Sequence, residues 1–322
     1  MHPKFLVIQT AFLGDVILAT AVLEKLHACF PHSEIDILVR KGNESIFNGH
    51  PFLHEVLVWN KKEEKLKNLW NTIRQVRRNK YKYVINLHRF SSSGLIAGSS
   101  SAPFISGFHN NPFSVLYTHK FRHEIGNGVH ETSRNQQLVS FLTDDIPARP
   151  RVYPSADDIK TALAGKSSPY VCMAPGSVWF TKRLPTSKWV ELIQSIKHPV
   201  YLIGAPDERQ LAEDIRSQIP GDRVVNCCGK LSLLQTAALL QLAAMNYVND
   251  SAPLHLCSAT NAPVTAFFCS TLPEFGFGPL SDGAVVIQTH EKLACRPCGI
   301  HGKNACPEGN FKCATTIEIP HE

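Results

Sequence analysis

The sequence lacks an apolar run that is long and clean enough to cross a bilayer. Its longest uncharged stretch, Leu231 to Asn249, contains amide and hydroxyl side chains such as Gln235 and Asn246, which are costly in hydrocarbon. We interpret this stretch as a buried helix followed by a strand. Near the N-terminus, charged residues interrupt the apolar pattern and no small-residue cleavage site follows, so we do not expect export.

Regularly spaced cysteines are also absent from most of the chain. Of the ten cysteines, only the last four have regular spacing, which favours reduced thiols and a cytoplasmic location. The formal charge of +6 favours anionic partners, such as nucleotides, phosphorylated glycans or an acidic membrane surface. Peripheral contact with the inner membrane fits this charge, and we do not expect a nucleic-acid partner.

A chain of 322 residues is long enough for two domains. Short β-rich runs alternate with helical periodicity in both halves, which indicates parallel sheets with helical crossovers. The proline-rich residues 147–154 interrupt the alternation, so we predict an N-terminal domain over 1–154 and a C-terminal domain over 155–322. We therefore expect an α/β fold of two Rossmann-like domains that face each other across a central cleft.

The loop after the first strand contains Gly14 and Asp15 but no G-x-G-x-x-G dinucleotide motif. Asp15 can cap a helix that begins near Val16. Alternatively, a carboxylate at this position can accept the proton of an attacking hydroxyl. Both interpretations remain open at this stage.

The equivalent loop of the second half, residues 174–185, favours an anion. It combines a glycine that lets the backbone approach a ligand with hydroxyl donors and adjacent cations, namely Gly176, Ser177, Thr181, Lys182 and Arg183. The cations follow a predicted strand and precede a predicted helix. We therefore predict a phosphate site in this loop.

Two further loops follow strands of the second half. In residues 249–260, Asp250 or Ser251 can cap a helix whose free N–H groups attract an anion, and His255 is either a ligand or a packed core residue. In residues 203–210, Asp207 and Glu208 can bind ribose hydroxyls or stabilise a helix dipole.

Two other segments have an open role. The C-x2-C-x7-C-x6-C quartet offers four thiols to zinc, although its second pair is wider than the usual knuckle, and an ordinary reduced loop is the alternative; its members are Cys295, Cys298, Cys306 and Cys313. Residues 60–82 have the pattern of a solvated amphipathic helix whose excess of positive charge can attract an anionic acceptor or the cytoplasmic leaflet.

Four stretches together, in order, carry a resemblance over most of the chain: residues 5–31, 130–139, 174–185 and 249–260. They resemble the heptosyltransferases of glycosyltransferase family 9. The resemblance implies a GT-B architecture, with an acceptor-side N-terminal domain and a C-terminal domain that binds the nucleotide sugar. It also implies an ADP-heptose donor, an inner-core lipopolysaccharide acceptor, and inversion at the anomeric carbon with neither metal nor cofactor.

The same resemblance implies roles for individual residues. Asp15 would be the general base, and Lys182 the phosphate-binding lysine, with Thr181 and Ser177 beside it. The donor's diphosphate and sugar would lie near Asn249, Asp250, Ser251, Ala252 and His255. Asp207 or Glu208 would approach the ribose. The match also includes His130, Glu131 and Arg134, to which we assign no role.

This sequence departs from the pattern of the family at two positions. Many members of the family have arginine where Gln9 stands, and glycine where this chain has Ala252. The first departure affects acceptor or phosphate contacts and the second affects the backbone approach to the sugar.

Two other functions remain alternatives. They are a nucleotide-sugar epimerase or hydrolase of GT-B-like fold, and a bilobal sugar-binding protein without catalysis.

Overall fold

The computed structural model describes residues 2–320. The chain divides into two compact units, which we call unit 1 and unit 2. Unit 1 comprises Met1–Ile125 with Val129–Tyr153, and unit 2 comprises Gly126–Gly128 with Pro154–Glu322.

Unit 1 contains one parallel six-stranded sheet with strand order β3-β2-β1-β4-β5-β6. Its strands are β1 (Lys4–Gln9), β2 (Glu34–Arg40), β3 (Leu53–Trp59), β4 (Tyr83–Asn86), β5 (Phe104–Phe108) and β6 (His119–Phe121). Its helices are α1 (Leu13–Cys29), α2 (Lys65–Arg78), α3 (Ser91–Gly98) and α4 (Glu131–Gln137). The side chains of β1 are buried from Phe5 onward, so this strand forms the centre of the core.

Unit 2 contains a second parallel six-stranded sheet, with strand order β12-β11-β10-β7-β8-β9. Its strands are β7 (Val171–Ala174), β8 (Val200–Leu202), β9 (Val224–Asn226), β10 (Met245–Asn249), β11 (Val264–Phe268) and β12 (Ala284–Gln288). Its helices are α5 (Ala156–Leu163), α6 (Thr186–Ser195), α7 (Arg209–Arg216), α8 (Leu233–Gln241), α9 (Ala252–Thr260) and α10 (Lys312–Thr315). The side chain of Trp189 fills its core against Phe267.

The two sheets have the same topology, because β7 to β12 occupy the positions of β1 to β6. In each sheet the strand order reverses beside the first strand, between β1 and β4 in unit 1 and between β7 and β10 in unit 2. Parallel α/β sheets bind ligands at this switch point, beyond the carboxyl ends of the strands. The loops after β1, β4, β7 and β10 are therefore where chemistry is expected.

The predicted strand and helix alternation is confirmed, including a helix and a strand within residues 231–249. One boundary was wrong: α1 begins at Leu13, so the Gly-Asp pair lies inside the first helical turn instead of before it. The proline-rich residues 147–154 form neither helix nor strand. Within residues 2–320, no helix combines the length and apolarity that a bilayer crossing requires.

Candidate functional site

Asp15 occupies the third position of α1, at the carboxyl end of the central strand β1. Its Oδ2 accepts a hydrogen bond from the backbone N–H of Phe12, at 3.2 Å, so it helps to close the first turn without being the N-cap residue. Gly14 precedes it in the same turn. The preceding loop is shaped by Gln9, whose buried amide oxygen accepts from the Ala11 N–H at 3.2 Å.

The surroundings of Asp15 favour its protonated form more than water does. Burial and the negative charge of Glu131 raise the pKa of Asp15 to about 6, while the Phe12 N–H and the charge of Arg89 work in the opposite direction. A carboxylate with this pKa is still ionised near neutral pH, yet it is a stronger base than an ordinary aspartate. These are the properties that a general base requires.

Basic side chains surround this loop, and the sequence analysis singled out only the segment that contains Lys61. The Lys61 ammonium donates to the Thr10 carbonyl at 2.6 Å, and His88 Nδ1 lies 2.9 Å from the Thr10 hydroxyl. Arg40, at the end of β2, lies with its guanidinium carbon 4.9 Å from the centre of the Phe12 ring. Arg89 follows β4 in the chain and is close enough to act on the pKa of Asp15.

The basic residues around this loop, which we call the basic cluster, have few negative charges close to them. Burial and repulsion from Arg40 and Lys65 lower the pKa of Lys61 to about 8. Burial and the charges of Lys61, Arg89 and Arg40 lower the pKa of His88 to about 3, so its ring is neutral. In the part of the chain that the structure describes, none of the three cations Arg40, Lys61 and Arg89 makes an ion pair within 4 Å. Such a cluster is suited to an anionic ligand.

The motif at residues 130–134 contributes one of the charges that act on Asp15. His130 is the N-cap residue of α4, and its Nδ1 accepts from the Thr132 N–H at 3.2 Å. Glu131 and Arg134 form a buried ion pair with Nε to Oε2 at 2.7 Å, and His123 lies 3.3 Å from the same oxygen. Burial alone would raise the pKa of Glu131, but the contacts with His123 and Arg134 outweigh it and lower that pKa.

In unit 2, Lys182 and Asp250 meet at the switch point. The ammonium of Lys182 lies 2.7 Å from Asp250 Oδ2, and the Thr271 hydroxyl donates to the same oxygen at 2.6 Å. The Lys182 side chain is 15 % exposed and that of Asp250 is 6 % exposed, so solvent and ligand can reach the cation but hardly the carboxylate. The carboxylate thus fixes the position of one charge of the predicted phosphate loop.

The other predicted members of this loop are less available. Ser177 is buried, and its carbonyl accepts from Arg183 Nε at 2.7 Å. The Thr181 hydroxyl accepts from the Lys303 N–H at 2.8 Å and from the Ser270 hydroxyl at 3.0 Å. These contacts brace the loop, so Thr181 has partners within unit 2 before any ligand binds.

Asn249 ties this loop to the end of β10. Its Oδ1 accepts from the Leu184 N–H at 3.0 Å, and its Nδ2 donates to the carbonyls of Pro175 at 2.8 Å and Gly176 at 3.3 Å. The side chain is fully buried. The side-chain amide of Asn249 therefore holds both ends of residues 175–184, one through its oxygen and the other through its N–H groups.

Replacing Asn249 with alanine should lower the free energy of unfolding by about 2–3 kcal/mol, because buried loop groups lose their partners. It should also raise the KM for the nucleotide sugar expected from the sequence at least about tenfold, since the predicted phosphate loop is no longer held in place. Chemical denaturation and steady-state kinetics measure the two effects.

Asn246 provides the matched control. It lies in the same strand, is fully buried, and donates to the carbonyls of Leu240 and Pro263 at 2.9 and 2.8 Å, at the opposite end of β10. Asn246→Ala should be similarly destabilising but leave the donor KM near normal. Equal KM changes in the two variants would contradict a specific role for Asn249.

The structure separates the two acidic residues after β8. Asp207 is exposed, whereas Glu208 is partly buried and its Oε2 accepts from the Ala205 N–H at 2.8 Å. A Cβ added at Gly176 would lie 1.9 Å from Glu208 Oε1. Gly176 therefore makes room for the Glu208 carboxylate. We predicted that the backbone at Gly176 would closely approach a ligand, but in the structure the group beside it is a side chain of the protein itself.

The start of α9 departs from the capping prediction. Ser251 is the N-cap residue, but its hydroxyl donates to the Asn249 carbonyl at 3.4 Å, and Asp250 is engaged by Lys182 and Thr271. Ala252 opens the helix and is partly exposed. His255 lies within the first turns and is buried.

The cysteine-containing segment packs against the predicted phosphate loop. The Thr181 N–H donates to the Lys303 carbonyl at 3.1 Å, and the Cys298 N–H donates to the Ser270 carbonyl at 2.9 Å. Gly302 has φ of +83°, and a Cβ there would lie 3.0 Å from Thr181 Oγ1, so this contact requires glycine. The segment acts as a brace for Thr181 and Lys182.

The zinc alternative for this segment has no geometric support. Within residues 2–320, no three histidine, cysteine, aspartate or glutamate side chains are arranged to hold a metal ion. The four cysteines of the segment are Cys295, Cys298, Cys306 and Cys313. Burial raises the pKa of Cys313 to about 11, which disfavours the thiolate that zinc binds.

Comparison with known proteins supports the family resemblance that the sequence motifs indicated. The model of glycosyltransferase family 9 (heptosyltransferase) matches residues 69–304. Lipopolysaccharide heptosyltransferase 3 of Escherichia coli is 25 % identical over 277 residues, which cover 81 % of this chain and 82 % of that protein. Lipopolysaccharide heptosyltransferase 1 of Pseudomonas aeruginosa is 26 % identical over 327 residues, with 92 % and 86 % covered.

Among solved structures, ADP-heptose lipopolysaccharide heptosyltransferase II of Escherichia coli aligns with a TM-score of 0.77 at 20 % identity and covers 96 % of both chains. This likeness confirms the predicted GT-B fold class. Since the family model spans most of the chain, we conclude that the protein belongs to glycosyltransferase family 9 and is an enzyme that uses a nucleotide-sugar donor.

Proposed function

We propose that the protein transfers heptose from ADP-heptose to the inner core of lipopolysaccharide, with inversion at the anomeric carbon and without a metal ion. The observation that carries this proposal is Asp15, a half-buried carboxylate at the switch point of unit 1 whose pKa is raised to about 6. Family membership and the names of the relatives, which are lipopolysaccharide heptosyltransferases, support the choice of donor and acceptor.

In the proposed reaction, an acceptor hydroxyl oxygen attacks the anomeric carbon of the donor sugar from the face opposite the diphosphate. The bond between that carbon and the diphosphate oxygen breaks, and ADP leaves with the electron pair. Asp15 receives the hydroxyl proton. Lys182 offsets the charge that develops on the diphosphate, a role that a fixed cation can fill without a metal.

The acceptor is proposed to be an anionic glycolipid at the cytoplasmic face of the inner membrane. Arg40, Lys61 and Arg89 supply positive charge beside Asp15 and have no ion-pair partner within 4 Å among the described residues. An acidic sugar or phosphate on the acceptor would relieve the repulsion that, together with burial, lowers the pKa of Lys61 to about 8.

On the donor side, the contacts proposed from the sequence are refined by burial. Glu208, rather than the exposed Asp207, is the proposed ribose contact. Ser251, Ala252 and His255 remain proposed donor-side residues, since all three lie at or near the start of α9.

The proposal is tested by incubating the protein with ADP-heptose and a heptose-deficient core acceptor. We expect stoichiometric ADP release and a mass increase of one heptose on the acceptor, in EDTA as well as in added Mg²⁺. Proton NMR of the product should show the inverted anomer. ADP-heptose should also raise the melting temperature more than UDP- or GDP-linked sugars, because it binds the native state.

Several results would redirect the assignment. ADP release at the same rate without acceptor would indicate a hydrolase, and conversion of the donor to an isomer would indicate an epimerase. Binding of the sugar nucleotide with no release of ADP under any condition would indicate a protein that only binds sugars.

A further inference from the structure

The positive charge of the protein is concentrated in one segment. Residues 61–82 contain nine lysines and arginines and two glutamates, whereas the whole chain has a formal charge of +6. The remaining 300 residues therefore have a net charge of −1. The net positive charge of the protein therefore comes from this segment, most of which is helix α2.

Helix α2 buries one face and exposes another that is not purely polar. Thr72, Ile73 and Val76 pack into unit 1. Next to this buried face, Leu66 is 80 % exposed and Trp70 is 53 % exposed. These two residues are four positions apart, so they lie on the same side of the helix.

Cations extend this exposed apolar pair along the helix. The Arg74 guanidinium lies 5.4 Å from the centre of the Trp70 ring, one turn further on. Arg77 and Arg78 are exposed in the last turn. Among the described residues, none of these three arginines has an ion-pair partner within 4 Å.

We propose that the exposed face of α2, defined by Leu66, Trp70, Arg74, Arg77 and Arg78, docks the enzyme on a bilayer that contains anionic lipids. Arginines beside a bilayer pair with acidic headgroups, and tryptophan favours the interface between headgroups and acyl chains. Neither signal is strong alone, but apolar insertion and a basic cluster together produce stable peripheral binding. A soluble polyanion would use the arginines and leave Leu66 and Trp70 without a function.

Docking through this face would also position the enzyme for the proposed heptose transfer, a consequence that rests on the proposed function. Lys61, just before α2, donates to the Thr10 carbonyl in the loop that leads to Asp15, at 2.6 Å. A docked α2 would therefore hold the loop of the proposed base near the membrane surface. A lipid-anchored acceptor has its sugar groups at that surface.

Vesicle flotation with the full-length protein tests the proposal in the absence of donor and acceptor. We expect binding to vesicles of phosphatidylcholine with phosphatidylglycerol, and at least about tenfold weaker binding to pure phosphatidylcholine. The triple substitution Arg74→Gln, Arg77→Gln, Arg78→Gln and the double substitution Leu66→Ser, Trp70→Ser should each weaken binding by at least about tenfold. High salt should weaken binding of the wild type, because exposed charges are screened.

Matched variants control for charge and surface polarity. Lys120, Lys160 and Lys197 are exposed lysines outside the segment, and their joint change to glutamine removes the same charge. Val115 and Ile146 are 75 % and 71 % exposed in unit 1, and their change to serine removes comparable apolar surface. Both controls should bind vesicles within about twofold of wild type, since the proposal assigns them no lipid contact.

Equal binding to neutral and anionic vesicles, or equal losses in the control variants, would overturn the docking surface. So would a loss of transfer to a water-soluble acceptor fragment in the α2 variants, because that outcome assigns the face to the acceptor itself. Failure of the proposed function has a different signature, in which wild-type protein binds anionic vesicles but transfers no heptose.

Discussion

Replacing Asp15 with asparagine should slow sugar transfer at least about 100-fold, because the variant has no positioned base to take the hydroxyl proton. The same substitution should stabilise the protein. The folded pKa of Asp15, about 6, exceeds the ordinary 3.8, so the folded state favours the protonated form. This contribution to stability is complete below pH 3.8 and is lost as the pH rises through about 6.

At pH 8 the ionised carboxylate therefore destabilises the wild type by about 1–3 kcal/mol, and the neutral amide of the variant removes that penalty. The amide oxygen introduced by Asp15→Asn can still accept from the Phe12 N–H, so the helix start is retained. Thermal unfolding at several pH values measures the gain, which should shrink toward zero as the pH falls to 3.8.

The pH dependence of transfer should report the same group. For the wild type, kcat/KM should fall about tenfold per pH unit below the pKa of Asp15. Asp145, an exposed aspartate in unit 1, provides a matched control, and Asp145→Asn should change neither rate nor stability. Near-normal turnover by Asp15→Asn, or a wild-type profile that is flat down to pH 5, would exclude Asp15 as the base.

Replacing Lys182 with methionine should reduce kcat/KM for the donor about 100- to 1000-fold, the usual effect of losing a charge that stabilises a transition state. The substitution also leaves the buried Asp250 carboxylate with the Thr271 hydroxyl but without its cation. We expect a loss of about 1–3 kcal/mol in the free energy of unfolding, toward the low end for a broken ion pair because Lys182 is partly exposed.

A double variant separates these two effects. Adding Asp250→Asn to Lys182→Met removes the uncompensated charge while an amide oxygen can still accept from Thr271, so stability should return without activity. Lys188→Met is the control, since Lys188 pairs with Glu191 at 3.1 Å on the surface of the same unit and should matter little. Recovery of transfer in the double variant would indicate that Lys182 merely neutralises Asp250.

The strands and helices that carry the site could be predicted because their signal is local. Continuous apolar runs such as β1 and β7 are buried on both faces, and α6 repeats apolar residues at helical spacing. Segments without such a signal were missed. β6 has no buried residue and β12 has two exposed ones, so neither has the continuous burial of a central strand.

The candidate loops could also be found from the sequence, but the partners of their side chains could not. Asn249 clamps residues 65 to 74 positions away in the chain, and the Thr181 hydroxyl meets Lys303 and Ser270. The approach of the Glu208 carboxylate to Gly176 is another such contact. No local pattern records such long-range contacts.

The sequence by itself determined two parallel α/β units and the loops that could hold an anion or a base. It did so because burial imposes a period on each element, and because parallel strands all end at one edge of their sheet. Only the tertiary structure decided what surrounds Asp15. The strand order places β2 and β4 on either side of β1, with β3 next to β2, so Arg40, Lys61 and Arg89 gather around one loop although they are far apart in the chain.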